Sequence, residues 1–165
     1  VSIAQKAGYA IKLVGQAKQA EDGRISVFVS PALVPNDNML SGVKDVFNGV
    51  LLKGNAVGDV FLYGRGAGKL PTASAVVADI IDALKDGCRS IIWDEADSSF
   101  MITEDKVPCD WLVRADSEVT SFNSISKVEK INNEFVFVGH NLTCDEIEEI
   151  SAKNSSVKKY IRILK

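Results

Sequence analysis

The chain has few of the residues that cross-link small proteins or bind metals. Its 165 residues include three cysteines and one histidine. The cysteines are odd in number and lack the close spacing of a metal-binding motif. This pattern argues against a disulfide-stapled secreted domain and against a zinc module. We therefore expect a reduced, cytoplasmic protein that holds no metal.

Long apolar runs and an excess of positive charge are also missing. No uncharged stretch approaches the roughly 20 residues of a membrane helix. The net charge of −3 gives no electrostatic support for a nucleic-acid partner or an anionic membrane. The first residues lack the basic and apolar regions of a signal peptide. Because the sequence starts at Val1 inside a helix-like pattern, we expect a fragment without its natural N-terminal part.

The composition, 46% hydrophobic and 25% charged, is that of a globular protein with a core of its own. Apolar periodicity predicts a short helix that ends at Gly8 and a longer helix over residues 71–85. Residues 31–38 contain two prolines and are predicted to form a loop. The predicted strands of this first part are residues 9–14, 24–30, 48–52 and 59–63.

The pattern restarts after a polar stretch, and we divide the chain into residues 1–93, a linker at 94–107 and a second domain at 108–165. Thr143 is the predicted N-cap of a helix from Cys144 to Lys153, because Glu146 stands at the capping-box position. The predicted strands of the second domain are residues 111–114, 126–131, 134–138 and 159–164. The fold class is α+β, a mainly antiparallel sheet with flanking helices followed by a small βββαβ domain.

Three glycines, spaced two residues apart, separate a predicted strand from a predicted helix. Gly64, Gly66 and Gly68 follow the apolar run 60–63, and Pro71 opens the helix. Backbone without Cβ atoms ahead of a helix can bring several N–H groups close to an anion or a nucleotide. A tight, closely packed turn explains the same glycines equally well. Their spacing fits neither the Rossmann fingerprint nor the phosphate loop of ATPases.

Five segments in a fixed order resemble the C-terminal part of the catalytic region of homoserine dehydrogenases. These segments are residues 8–13, 29–35, 46–50, 58–59 and 63–79. The resemblance covers about residues 1–85, and its most specific part is the block that contains the glycine loop. It implies a dehydrogenase that interconverts L-aspartate 4-semialdehyde and L-homoserine with NAD(P), in threonine and methionine biosynthesis.

The resemblance also says which parts of such an enzyme this chain holds. The dinucleotide-binding domain and the catalytic lysine belong to the missing upstream part, so we expect no catalytic residue here. The fragment should be inactive and bind no cofactor alone. In the family the glycine loop lies beside the nicotinamide end of NAD(P), which implies cofactor binding by Gly64, Gly66 and Gly68, with Gly68 the first choice. The implied partners are the missing domain, homoserine and a second copy of the chain.

The second domain loosely resembles the ACT regulatory domain that many homoserine dehydrogenases carry. An ACT domain has the order βαββαβ, but residues 116–123 are short and polar for its first helix. The glycine turn that often receives an amino-acid effector is also missing. We interpret this tail as a divergent structural module rather than a threonine sensor. The alternative function for the chain is a non-enzymatic amino-acid-binding or oligomerisation module.

Four other features have simple explanations. Residues 94–97 spell the acidic signature of helicase ATPases, but without a phosphate loop they indicate a solvated linker. His140 is predicted to lie in a surface turn without a carboxylate partner. A helix N-terminus can lower the pKa of the Cys144 thiol and make it modestly reactive, but the simpler interpretation is a cysteine without a special role. The acidic residues of the same helix suit the helix dipole better than a metal; they are Asp145, Glu146, Glu148 and Glu149.

Overall fold

The computed structural model describes residues 1–87, 95, 97–119 and 125–164, which form two compact units. Val1–Asp37 and Asp97–Lys165 form the first, here called the sheet unit. Asn38–Ala96 form the second, called the hairpin unit. The strands are β1 Tyr9–Gln19, β2 Ile25–Pro35, β3 Phe47–Gly54, β4 Gly58–Arg65, β5 Cys109–Ala115, β6 Ile125–Ile131, β7 Glu134–Leu142 and β8 Val157–Ile163. The α-helices are α1 Ser2–Lys6, α2 Lys69–Asp86 and α3 Cys144–Lys153.

The sheet unit contains one six-stranded sheet in the order β1-β2-β8-β5-β7-β6. Its neighbouring strands are antiparallel except β2 and β8, which run parallel. That junction is short: Leu33 pairs with Ile163, and the N–H of Leu164 donates to the Leu33 carbonyl at 2.8 Å. The β1–β2 hairpin thereby extends the sheet of the tail.

Two apolar clusters form the core of the sheet unit. The first joins Ile3 and Leu33, from the start of the chain, to Leu112 and Ile163 of the tail. The second lies within the tail, where Ile147 of α3 is buried beside Trp111 of β5 and other tail residues. One of the two apolar clusters of the tail therefore includes residues of α1 and β2.

The hairpin unit has no buried residue among its described positions. Strands β3 and β4 pair in a two-stranded antiparallel sheet from Phe47–Arg65 to Gly54–Gly58. Helix α2 keeps its large aliphatic side chains exposed; they are Leu70, Val76, Val77, Ile80, Ile81 and Leu84. On the hairpin the exposed aliphatic residues include Val50, Leu52 and Leu62. No described helix of either unit is long and apolar enough to cross a membrane.

The predicted loop at residues 31–38 is wrong for its first half. Strand β2 continues through Pro31 to Pro35, and Pro31 pairs with Leu13 of β1. Proline lacks an N–H and is tolerated where a strand has a neighbour on one side alone. Beyond β1, the described residues of β2 pair with β8 at Leu33 and form an isolated bridge from Ile25 to Met101, so Pro31 interrupts no second ladder there.

The α+β fold class is confirmed, but the sheet assembles differently from the prediction. The first four strands were expected to share one sheet, whereas β1 and β2 join the tail and β3 and β4 pair separately. Of the predicted linker at 94–107, residues 94 and 96 lie outside the described residues. Met101 forms a bridge to Ile25, and the N–H of Ile102 donates to the Ile25 carbonyl at 3.0 Å. The domain boundaries at 93 and 108 stay a prediction, since the contacts divide the chain elsewhere.

Candidate functional site

The glycine loop connects β4 to α2, as the sequence predicts. Gly64 lies in β4, Gly66 lies between the two elements and Gly68 is the N-cap of the helix. The apolar run before Gly64 favours the strand, and the apolar stripe of α2 favours the helix. The loop is exposed along its whole length. A ligand can therefore reach its backbone within the hairpin unit.

Gly68 is a glycine for a conformational reason. Its φ of +119° and ψ of 159° are rarely adopted by residues with a Cβ. Its carbonyl accepts the N–H of Thr72 at 3.1 Å, which closes the first turn of α2. Gly68 has no side chain to cap the helix, and Pro71 has no N–H to be satisfied. The helix thus begins with uncapped N–H groups and the positive end of its dipole at the loop.

Gly64 and Gly66 lack side chains in different surroundings. A Cβ built on Gly64 meets no described atom within 4 Å. A Cβ built on Gly66 falls on Nδ2 of Asn48 and lies 2.8 Å from Cγ of that residue. The space over Gly64 is therefore open to a flat group, whereas the space over Gly66 is already filled.

Basic and aromatic residues flank the loop. Arg65 holds its guanidinium 5.2 Å from the centre of the Phe47 ring, which stacks on Tyr63 at 4.8 Å. The next residue after Gly68 is Lys69, which is exposed at the start of α2. Basic side chains beside uncapped helix N–H groups favour an anionic ligand. The loop therefore has a basic residue at each side, Arg65 and Lys69.

His140 has a carboxylate partner that the sequence analysis missed. Its Nδ1 lies 2.7 Å from Oδ2 of Asp110, and the N–H of Asn141 donates to Oδ1 at 3.0 Å. The Asp110 side chain is 6% exposed and that of His140 is 42% exposed. The prediction of a lone surface histidine is wrong, because strand pairing brings together residues thirty positions apart. No local spacing in the sequence could have indicated this pair.

Of the two interpretations of Cys144, the lowered thiol pKa is wrong. Burial raises the pKa of its thiol, and this outweighs the favourable charge of Arg162 nearby. Burial likewise raises the pKa of Cys109 to about 11. The guanidinium of Arg162 donates to Sγ of Cys144 at 3.6 Å and also pairs with Glu104. Both thiols are protonated at neutral pH and suit packing better than nucleophilic chemistry.

The acidic residues of α3 form no metal site among the described residues. Glu146 closes the capping box, with its carboxylate 2.8 Å from the N–H of Thr143. Glu149 pairs with Lys153 at 2.5 Å, and this pair lowers the pKa of the glutamate. These carboxylates therefore have structural partners in or beside their own helix.

The part of the chain that contains the glycine loop is similar to known proteins. The family model described as homoserine dehydrogenase matches residues 1–81. Residues 1–81 are therefore similar to part of the homoserine dehydrogenases. The homoserine dehydrogenase of Pseudomonas aeruginosa is 44% identical over 85 residues, and that of Bacillus subtilis is 42% identical over 85 residues. Each match covers 52% of this chain and 19% of the relative.

Solved homoserine dehydrogenases share the fold of the whole chain, tail included. The enzyme from Thiobacillus denitrificans matches 99% of this chain with a TM-score of 0.76 and 26% identity. The enzyme from S. aureus matches 100% of it with a TM-score of 0.70 and 23% identity. The chain spans 44% of the length of either protein. The homoserine dehydrogenase segment, residues 1–81, thus contributes to both compact units and carries the glycine loop.

Proposed function

We propose that this chain forms the C-terminal part of a homoserine dehydrogenase, which interconverts L-aspartate 4-semialdehyde and L-homoserine with NAD(P). The observation that carries the proposal is the family match over residues 1–81, joined to a fold similarity that extends over the tail. The chain contributes no catalytic residue in this proposal and is inactive alone. Its cellular location is the cytoplasm.

The glycine loop is the part of this chain that meets the cofactor. We assign contact with the nicotinamide end to Gly64, Gly66 and Gly68. The open space over Gly64 fits a flat ring, and the uncapped start of α2 together with Arg65 fits an anionic group. The cofactor supplies the hydride when it is bound. The role of the loop is to hold the ring by backbone contact and to exclude water from one side of it.

The exposed aliphatic faces of the hairpin unit support an assembly role. Helix α2 and the strands β3 and β4 expose more large apolar side chains than an isolated surface tolerates. In this proposal they are covered by the upstream domains of the enzyme and by a second subunit. The proposal includes a homodimer for the same reason, because the face of the β3–β4 sheet that carries Val50, Leu52 and Leu62 is exposed.

The proposal is tested with a hybrid enzyme. The upstream region of the Bacillus subtilis enzyme is joined to this 165-residue chain at the homologous position, where the two are 42% identical. The hybrid should oxidise NADPH in the presence of aspartate semialdehyde, and the 165-residue chain alone should not. A folded hybrid without turnover would contradict the proposal, as would turnover by the chain alone.

The cofactor role of the loop is tested by Gly68→Val in the hybrid. A branched side chain at this position obstructs the approach of the ring, so KM for NADPH should rise at least tenfold, or roughly 1.4 kcal/mol. Gly87→Val is the matched control, because Gly87 also has a positive φ, of +71°, and lies at the other end of α2. Equal effects of the two substitutions would assign the loss to backbone strain instead.

One observation favours the alternative of an amino-acid-binding module. The tail strands adopt the order β8-β5-β7-β6, all antiparallel, with α3 between β7 and β8. This is the strand order of a βαββαβ fold, with α3 in the place of its second helix. Calorimetric titration with threonine, methionine and lysine tests it. Saturable binding that is lost without residues 109–165 would favour a sensor, and absence of heat would favour a structural tail.

A further inference from the structure

Gly66 differs from the other two glycines because another side chain of the hairpin unit already occupies the space above it. We propose that Asn48 is the positioning residue of the glycine loop, and that Gly66 lacks a side chain so that the Asn48 carboxamide can lie against it. This inference rests on the proposed cofactor role of the loop. It refines the assignment above: Gly66 has a partner within the chain, and direct cofactor contact is left to Gly64 and Gly68.

The strand register puts Asn48 at the end of the hairpin where the loop begins. Asn48 pairs with Gly64, and the adjacent pair, Phe47 with Arg65, is the last before the chain leaves the sheet. Side chains of neighbouring residues in a strand point to opposite faces. Asn48 therefore projects on the side of the hairpin opposite to Phe47.

The face that carries Phe47 is tightly packed and fixes the end of the hairpin. Phe47 and Tyr63 stack with ring centres 4.8 Å apart, and Phe61 follows at 6.0 Å from Tyr63. The Phe61 ring covers Gly49, where a Cβ would lie 2.9 Å from the ring. The guanidinium of Arg65 lies over Phe47 at the end of this row. These contacts hold the backbone of Asn48 in register with the loop.

On the face of the hairpin opposite to Phe47, Asn48 is the polar side chain that lies beside the loop. The other described side chains of that face are aliphatic: Val50 and Leu52 on β3, Val60 and Leu62 on β4. The Asn48 side chain is exposed, and its carboxamide meets Gly66 where a Cβ would stand. An amide both donates and accepts hydrogen bonds, so it can order loop backbone that has no side chains of its own.

The proposal predicts that substitutions at the two positions act through one contact. In Gly66→Ala the new Cβ drives the carboxamide away, and in Asn48→Ala the carboxamide is removed. Each should raise the Kd of the hybrid enzyme for NADPH about fivefold, the size expected from one hydrogen-bonding group. Both substitutions remove the same contact, which can be lost only once. The double variant should therefore also raise the Kd for NADPH about fivefold. At saturating NADPH, kcat and the KM for aspartate semialdehyde should not change.

Binding is measured by fluorescence titration of the hybrid with NADPH. Gly42→Ala serves as the control, because Gly42 lies in the same unit and a Cβ there meets nothing within 4 Å. A double variant weakened by the product of the single effects, about 25-fold, would overturn the inference. That result would mean that Gly66 and Asn48 meet the cofactor independently.

The 165-residue chain gives a second readout that needs no cofactor. Gly66→Ala should shift the side-chain amide resonances of Asn48 in an NMR spectrum, whereas Gly42→Ala should leave them in position, because a Cβ on Gly42 meets no described atom within 4 Å. Equal shifts from both would overturn the inference. If Gly68→Val weakens NADPH binding but Asn48→Ala and Gly66→Ala do not, the cofactor role stands and the positioning role fails. If no loop variant changes NADPH binding, the cofactor role itself fails.

Discussion

Asp110 is a buried carboxylate that joins the end of β5 to the end of β7. Its two oxygens accept from the N–H of Asn141 and lie beside the imidazole of His140. Asn141 has a φ of +53°, a left-handed conformation that a side-chain hydrogen bond to its N–H helps to hold. The carboxylate therefore fixes the bend that ends β7 just before α3 starts. Because this carboxylate is 6% exposed and hydrogen-bonded, it contributes to the stability of the tail.

Asp110→Ala should lower the free energy of unfolding by about 1–3 kcal/mol, because it leaves the Asn141 N–H and the imidazole without this acceptor. Urea unfolding of the 165-residue chain measures the change. Asp116→Ala is the control: the Asp116 side chain is 61% exposed and pairs with Lys158 at the surface. An exposed pair is worth less than about 1 kcal/mol. A larger loss at Asp116 than at Asp110 would contradict the structural role assigned to Asp110.

At the level of elements, local signals predict the helix ends and fail where partners are distant in sequence. Helix α3 begins and ends as predicted, since Thr143 and Glu146 carry the cap within four residues. Strand β2 runs past Pro31 because β1 pairs with it there, which no local pattern reveals. The same limit hid the partner of His140. Local sequence therefore predicts where a helix begins and ends, whereas contacts between elements depend on strand register, which local sequence does not reveal.

Thr143→Ala should destabilise the chain by about 1 kcal/mol, the usual cost of removing an N-cap oxygen. The Thr143 hydroxyl accepts the N–H of Glu146 at 3.3 Å, and α3 buries Ile147 in the second cluster. Loss of the cap therefore weakens a helix that covers the sheet. Thr143→Ser keeps the oxygen and should retain most of the stability in thermal unfolding followed by circular dichroism. Equal losses from the two substitutions would mean that the threonine methyl, and not the cap, is responsible.

At the level of the site, glycine spacing predicts the loop but not the reason for each glycine. Gly68 needs its backbone conformation, Gly66 accommodates Asn48, and Gly64 has open space. The reasons at Gly68 and Gly66 are structural. They agree with a tight, closely packed turn, the simpler of the two explanations that glycine spacing left open. Gly64 is the position at which no contact within the hairpin unit explains the lack of a side chain among the described residues.

For the whole molecule, the six-stranded sheet joins two stretches that composition separates. The homoserine dehydrogenase segment supplies α1, β1 and β2, and the tail supplies four strands. Their junction depends on the pairing of Leu33 with Ile163, residues 130 positions apart. A polar stretch between them suggested a linker, because linkers and packed surface turns have similar compositions. The tail therefore folds as an extension of the family segment.

Leu33→Ala tests whether the tail depends on the segment before it. Leu33 is 0% exposed in the first cluster, so the substitution should cost about 2–5 kcal/mol. The loss should be visible in the fluorescence of Trp111, which lies in the tail, with Trp93 replaced by phenylalanine. Leu13→Ala is the control in the same hairpin, where the side chain is 74% exposed and the change should stay within about 0.5 kcal/mol. If urea unfolding of the tail is unchanged by Leu33→Ala, the two stretches fold independently and the shared sheet contributes nothing to tail stability.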